Sequence, residues 1–186
     1  VACDEVYKMG KTTFSGPVRS LGGFYTAGNS SAVDVPNGTA NFTIGTTSGY
    51  DVADYAGKII TLNDAAMAIT LPTISAVDPV DDTDPNQLNN LGVTFRFVVV
   101  TESTALIINC GGSDVFTGGV HIGIDNSAAT DWQIPDGSDN TFTMNGTTKG
   151  GNPGSYVTFE AAAATKWLIQ GSLDGSGTLA SPFSTV

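Results

Sequence analysis

The residues best placed to do chemistry are oxygen donors, because 18 of the side chains are acidic against 7 basic, with one histidine and two cysteines. The densest acidic run is SAVDPVDDTDPNQLNN at 75–90. Within it, Asp82, Asp84 and Asn86 have the alternate spacing that opens a calcium loop, where successive odd positions converge on a hard cation. The sixth position of such a loop is glycine and here is Gln87; the twelfth is glutamate and here is Val93. The run is therefore no EF-hand, and an irregular cation site at Asp82, Asp84 and Asn86 stands against a solvated turn.

Other chemistry is thinner. GKTT at 10–13 ends like a phosphate loop, but the glycine required five residues earlier is Glu5, whose charge repels phosphate. Gly57-Lys58 fails the same test, with Val52 and Ile59 at the diagnostic positions. His121 alternates with Val120 and Ile122, and no nearby Cys, Ser or Asp pattern makes a triad of it. Cys3 and Cys110 form no CxxC pair; Cys110 closes the apolar series Leu106, Ile108, Cys110 and reads as a small core residue, with a bridge to Cys3 left open. Glu102, Glu160 and several Asp residues could supply a carboxylate pair, although spacing alone cannot bring two strands together. Asn29, Asn37, Asn41 and Asn145 each begin an N-x-[ST] sequon, about as many as chance supplies in so Asn- and Thr-rich a chain. No catalysis, cofactor or established metal site is expected.

The elements that must carry these residues are strands. Helix-favouring Glu, Lys, Arg and Gln are scarce, Gly reaches 23 residues, and only 13% of the 186 residues are charged. The period is two nearly everywhere. In GVTFRFVVV (92–100), Val93, Phe95, Phe97 and Val99 point one way while Thr94 and Arg96 point the other. The same alternation runs through Phe42/Ile44, Ile60/Leu62, Ile69/Leu71, Leu106/Ile108, Val120/Ile122/Ile124, Phe142/Met144, Val157/Phe159 and Trp167/Ile169. Gly-, Asn- and Asp-rich breaks separate these runs. EAAAATK (160–166) reads as a hairpin loop with one helical turn. Nine or so such strands predict an all-β, antiparallel β-sandwich or jelly roll over residues 39–186. Residues 1–38 cannot bury a core of their own and are expected to form an extended N-terminal arm, anchored on partners by Phe14, Phe24 and Tyr25.

The net charge of −11 opposes binding to nucleic acid or anionic lipid, and no run approaches the ~20 apolar residues of a membrane span. The first residues, with Asp4 and Glu5, lack the basic-then-apolar order of a signal peptide.

Four segments occur in the order GKIITLNDAAMAITLP, GVTFRFVVVTESTALIINCGG, DNTFTMNGTTKGG and GSYVTFEAAAATKWLIQGSLDGSGTLASPF. In that order the run from Ala56 to Ser184 resembles structural proteins of marine tailed bacteriophages, especially capsid decoration (cement) proteins of cyanophage-like viruses. The matching positions are Gly57, Lys58, Phe95, Phe97, Tyr156, Val157, Trp167 and Gly171. The resemblance implies a β-rich subunit, trimeric by analogy, on the capsid surface of the virion, bound over junctions of the major capsid protein. An alternative is a tail-fibre, spike or head-fibre module that binds host-surface glycan, with Trp132 flanked by Asp131 and Gln133 as its platform; a third is a secreted glycan-active enzyme.

Overall fold

The computed structural model of the protein describes residues 32–35, 41–45, 52–75, 90–124 and 130–186. Alternating apolar residues become strands with one buried and one open face, and the burial of β5 (Thr94–Val99) shows the rule. Phe95, Phe97 and Val99 are buried while Arg96 is exposed. The other strands are β1 (Ala32–Val35), β2 (Asn41–Thr43), β3 (Ile59–Leu62), β4 (Ala66–Thr70), β6 (Ala105–Asn109) and β7 (Val115–Ile124). They are followed by β8 (Thr130–Gln133), β9 (Thr141–Met144), β10 (Tyr156–Ala163), β11 (Lys166–Gly175) and β12 (Phe183–Ser184). A single helical turn, α1 (Val52–Tyr55), precedes β3.

The strands make two mixed sheets packed face to face, a seven-stranded sheet in the order β1-β3-β5-β10-β11-β7-β8 and a five-stranded sheet in the order β12-β9-β6-β4-β2. The fold is all-β and sandwich-like, as expected; the strand order does not establish a jelly roll. The expectation of antiparallel sheets needs correction. β1/β3, β3/β5, β2/β4, β4/β6 and β7/β11 all pair in parallel. Parallel neighbours need a crossover, and among the described residues no helix longer than the single turn α1 lies on that path. From β1 to β6 the chain changes sheet at every step, so a strand of the facing sheet serves as the crossover.

This coil repeats itself. Val35, Phe42 and Ile44 return 27 positions later (59 − 32 and 68 − 41 in the strand registers) as Leu62, Ile69 and Leu71. The next turn places Val99 beside Leu62 and Ile108 beside Ile69. Both ends of the run 75–90 are clasped where it leaves the coil. Ser75 N–H donates to Asn90 Oδ1 (2.7 Å), Asn90 N–H to the Ser75 carbonyl (3.1 Å) and the Asn90 side-chain amide to the Thr73 carbonyl (2.9 Å).

The second half closes by antiparallel pairing, with β9 on β6, β10 on β5 and β11 on β10. The expected loop at 160–166 is instead the end of one strand and the start of the next. β10 runs to Ala163 through a bulge, and the turn is Ala164-Thr165, with Thr165 at φ 61°. Tertiary pairing with Leu168 and Trp167 overrides the low strand propensity of alanine here. β1, β8 and β12 are strands that the alternation did not announce, and β1 begins inside the stretch expected as the arm.

Between the sheets lies one apolar core. Phe159 sits at its centre, with ring centroids 5.8 Å from Phe97, 5.5 Å from Phe116 and 6.0 Å from Phe142. Phe95 packs 5.8 Å from the fully buried Trp167. Each such ring contributes about 1.5–3 kcal/mol by leaving water.

Candidate functional site

With the inner faces committed to the core, the side chains that point away from it are those on the two outer faces. Strand register lines them up in rows. On the seven-stranded sheet one row crosses every strand: Asp34, Thr61, Val98, Tyr156, Ser172, His121 and Trp132. The row beside it carries Ile59, Arg96, Thr158, Gln170 and Gly119.

Trp132 is 52% exposed on the edge strand, directly across from His121. Its indole lies over Gly119: a Cβ added there would come within 3.0 Å of Cε2 and Cζ2. The glycine thus makes room for the ring to lie on the sheet. Asp131 and Gln133, expected beside Trp132, are on the other side of the strand, since successive side chains alternate. They bond each other instead, Gln133 Nε2 donating to Asp131 Oδ2 at 2.7 Å, while Asp131 Oδ1 accepts from the Trp132 N–H at 2.9 Å. Four strand pairings away from Trp132, the Arg96 guanidinium rests 5.2 Å from the centroid of Tyr156, a ring 39% exposed. This cation–π contact is the one interaction that holds Arg96 among the described residues.

The outer face of the five-stranded sheet differs in kind. Its rows are Asn41, Ala68, Ile107, Thr143 and Thr43, Thr70, Asn109, Thr141, Ser184, with Ala66 beside Ala105. None of these is charged. Within the second row Thr141 links β9 to β6 by donating to Asn109 Oδ1 at 2.9 Å.

The remaining expected residues separate. Asp82, Asp84 and Asn86, like Phe14, Phe24 and Tyr25, GKTT and Cys3, lie outside the described residues. Among the described residues no group of three His, Cys, Asp or Glu side chains could hold a metal ion. Glu160 pairs with Thr94 at the start of β5, whereas Glu102 lies beyond its end. The six residues of β5 put about 20 Å between them, too far to act as a carboxylate pair. His121 is exposed. Cys110 is a free, buried thiol, and burial, with the Asp114 carboxylate second, pushes its proton affinity well above the usual thiol range. Asn145 is a turn former: Oδ1 accepts from the Thr147 and Lys149 N–H groups (3.1 and 2.9 Å) and its amide donates to Thr148 Oγ1 (3.0 Å). Asp136, in the turn before β9, is held below the usual carboxylate range by the Ser138 N–H and hydroxyl.

No family model matches the chain, and no curated protein or solved structure matches it. What the sequence reading missed is the pair of outer rows. Part of the signal was present in the 27-residue recurrence, which sets Asn41 beside Ala68 and Thr43 beside Thr70.

Proposed function

We propose that the chain is a structural protein of a virus particle, a decoration subunit that docks on the major capsid protein at junctions of the shell and stabilises it. The observation that carries this reading is the uncharged outer face of the five-stranded sheet. A chain of net charge −11 repels an acidic neighbour over most of its surface. Interface centres are depleted of charge, and a flat array of Ala, Thr, Asn and Ile seats a partner with little desolvation cost. The positions of the phage-like resemblance give further support. Gly57 and Lys58 lead into β3, and Phe95, Phe97, Tyr156, Val157, Trp167 and Gly171 fall on β5, β10 and β11. These four strands are consecutive neighbours in one sheet. In this proposal the residues ahead of β1, through Phe14, Phe24 and Tyr25, add contacts to neighbouring subunits, the assembly is a homotrimer, and the scaffold is chemically inert.

The test is the copy number of the protein on purified particles, measured by quantitative mass spectrometry beside a Thr70→Glu/Ile107→Glu variant. A fixed ratio to the major capsid protein, lost in the variant while its circular dichroism is unchanged, is the expected result. A copy number matching the tail, or full occupancy by the variant, overturns the proposal.

A further inference from the structure

The opposite face, on the seven-stranded sheet, carries a different chemistry that capsid docking leaves unused. We propose that it binds an oligosaccharide built of carboxylated sugars, laid across the strands from Trp132 towards Arg96. Three features together point to this ligand.

The first is the platform. Trp132 lies over Gly119 and stays half exposed, which offers an indole surface on which the apolar side of a sugar ring can stack. The second is the pair of rows. His121, Ser172 and Gln170 stand between Trp132 and Tyr156 on neighbouring strands, all exposed, and each can donate or accept a hydrogen bond to a hydroxyl. From β8 to β5 the row spans four strand spacings, about 19 Å, so the ligand is a chain of several rings and not a monosaccharide.

The third is charge. Within these two rows, from β5 to β8, Arg96 carries the only formal charge. It rests on Tyr156 with no carboxylate partner among the described residues. Of the acids on this face, Asp34 lies at the far end of the row, two strands beyond β5, and Glu160 and Asp174 stand one row off, paired with Thr94 and Gly123. In a strongly acidic chain, an exposed guanidinium kept free of its own carboxylates matches an incoming one, which it can bind through two parallel N–H donors. A uronic acid oligomer presents a carboxylate on every ring, so one reaches Arg96 while another ring covers Trp132.

Isothermal titration calorimetry of the full chain with a uronic acid hexamer and with a neutral glucose hexamer tests the proposal. The expected result is binding of the uronic acid hexamer only. Trp132→Ala is expected to lose affinity about ten-fold through lost stacking. Arg96→Gln, on the exposed outer face, abolishes the preference for the acid. Circular dichroism confirms that each variant is folded. Absence of binding, equal affinity for the neutral hexamer, or unchanged affinity in folded Trp132→Ala each overturns it. The Thr70→Glu/Ile107→Glu variant, altered on the other face, binds the hexamer as the parent does, so failure of capsid docking leaves this result separate.

Discussion

The two halves of the molecule reach the same sandwich by opposite routes. In the coil, β1 to β6, every strand pairs in parallel with a strand two elements away, and its sequence neighbour faces it from the other sheet. In the closing half, β10 and β11 are joined by a two-residue turn and pair antiparallel along most of their length. β7 and β8 are also consecutive and antiparallel. The coil depends on distant partners, which must wait for a full turn of chain to be placed, whereas the hairpin can form from local contacts alone. What joins them is the core, since β10 of the hairpin pairs with β5 of the coil and β9 pairs with β6.

The sharpest way to break this comparison is to remove the ring that both halves share. Phe159 lies against Phe97 from the coil and against Phe116 and Phe142 from the closing half. Phe159→Ala is expected to cost about 3–5 kcal/mol, enough to unfold a marginal domain. If the halves are one cooperative unit, urea melts followed by tryptophan fluorescence and by far-UV circular dichroism shift together to lower urea. Two separated transitions would show that coil and hairpin hold independent stabilities.

A smaller change separates tight contact from backbone strain. Gly171, on β11, leaves no room for a side chain: an added Cβ would sit 2.5 Å from the Tyr156 carbonyl oxygen. Gly57, in the turn that enters β3, has open space around it and is glycine for its φ of +71°. Gly171→Ala is expected to cost up to about 3 kcal/mol through overpacking of the hairpin. Gly57→Ala should cost about 1 kcal/mol through the left-handed backbone alone. Chemical denaturation of both variants checks the order, and a reversed order would mean that β10 and β11 can separate cheaply.

The two halves were not equally legible in the sequence. Which residues are buried could be read throughout, because alternation is local: Phe95/Phe97, Ile69/Leu71 and Trp167/Ile169 all lie in the core. Which strands pair could be read only where the chain turns back on itself. The parallel order of β1, β3 and β5 is set by stacking one turn of coil on the next, and only the return of Val35-Phe42-Ile44 as Leu62-Ile69-Leu71 signals it. The strand character of Glu160–Ala163 was hidden by alanine, whose weak propensity gives way to the ladder with β11. Trp132 was legible as a residue type but not in its setting. Its neighbours on the face are His121 and Ser172, far away in sequence, and not the adjacent Asp131 and Gln133.

The finest probe sits at the seam. Cys110 ends the coil, donates its N–H to the Asn140 carbonyl in the closing half, and is followed by the turn from which the Asp114 carboxylate accepts the Ile74 N–H at 2.7 Å. Burial and that carboxylate raise the thiol's proton affinity in the folded protein. In the unfolded chain the thiol loses its proton near pH 8.5, while in the folded protein it keeps it. Above that pH the unfolded state binds fewer protons than the folded one, so stability falls as pH rises, by about 1.4 kcal/mol per unit, and is unaffected below it. The parent protein is therefore expected to lose stability between pH 9 and 10 by up to about that amount more than Cys110→Ala, with both compared in a Cys3→Ser background. Urea melts at pH 7, 9 and 10 measure the difference. Parallel losses in the two proteins would mean that the seam opens to water and that the halves meet more loosely than the buried thiol implies.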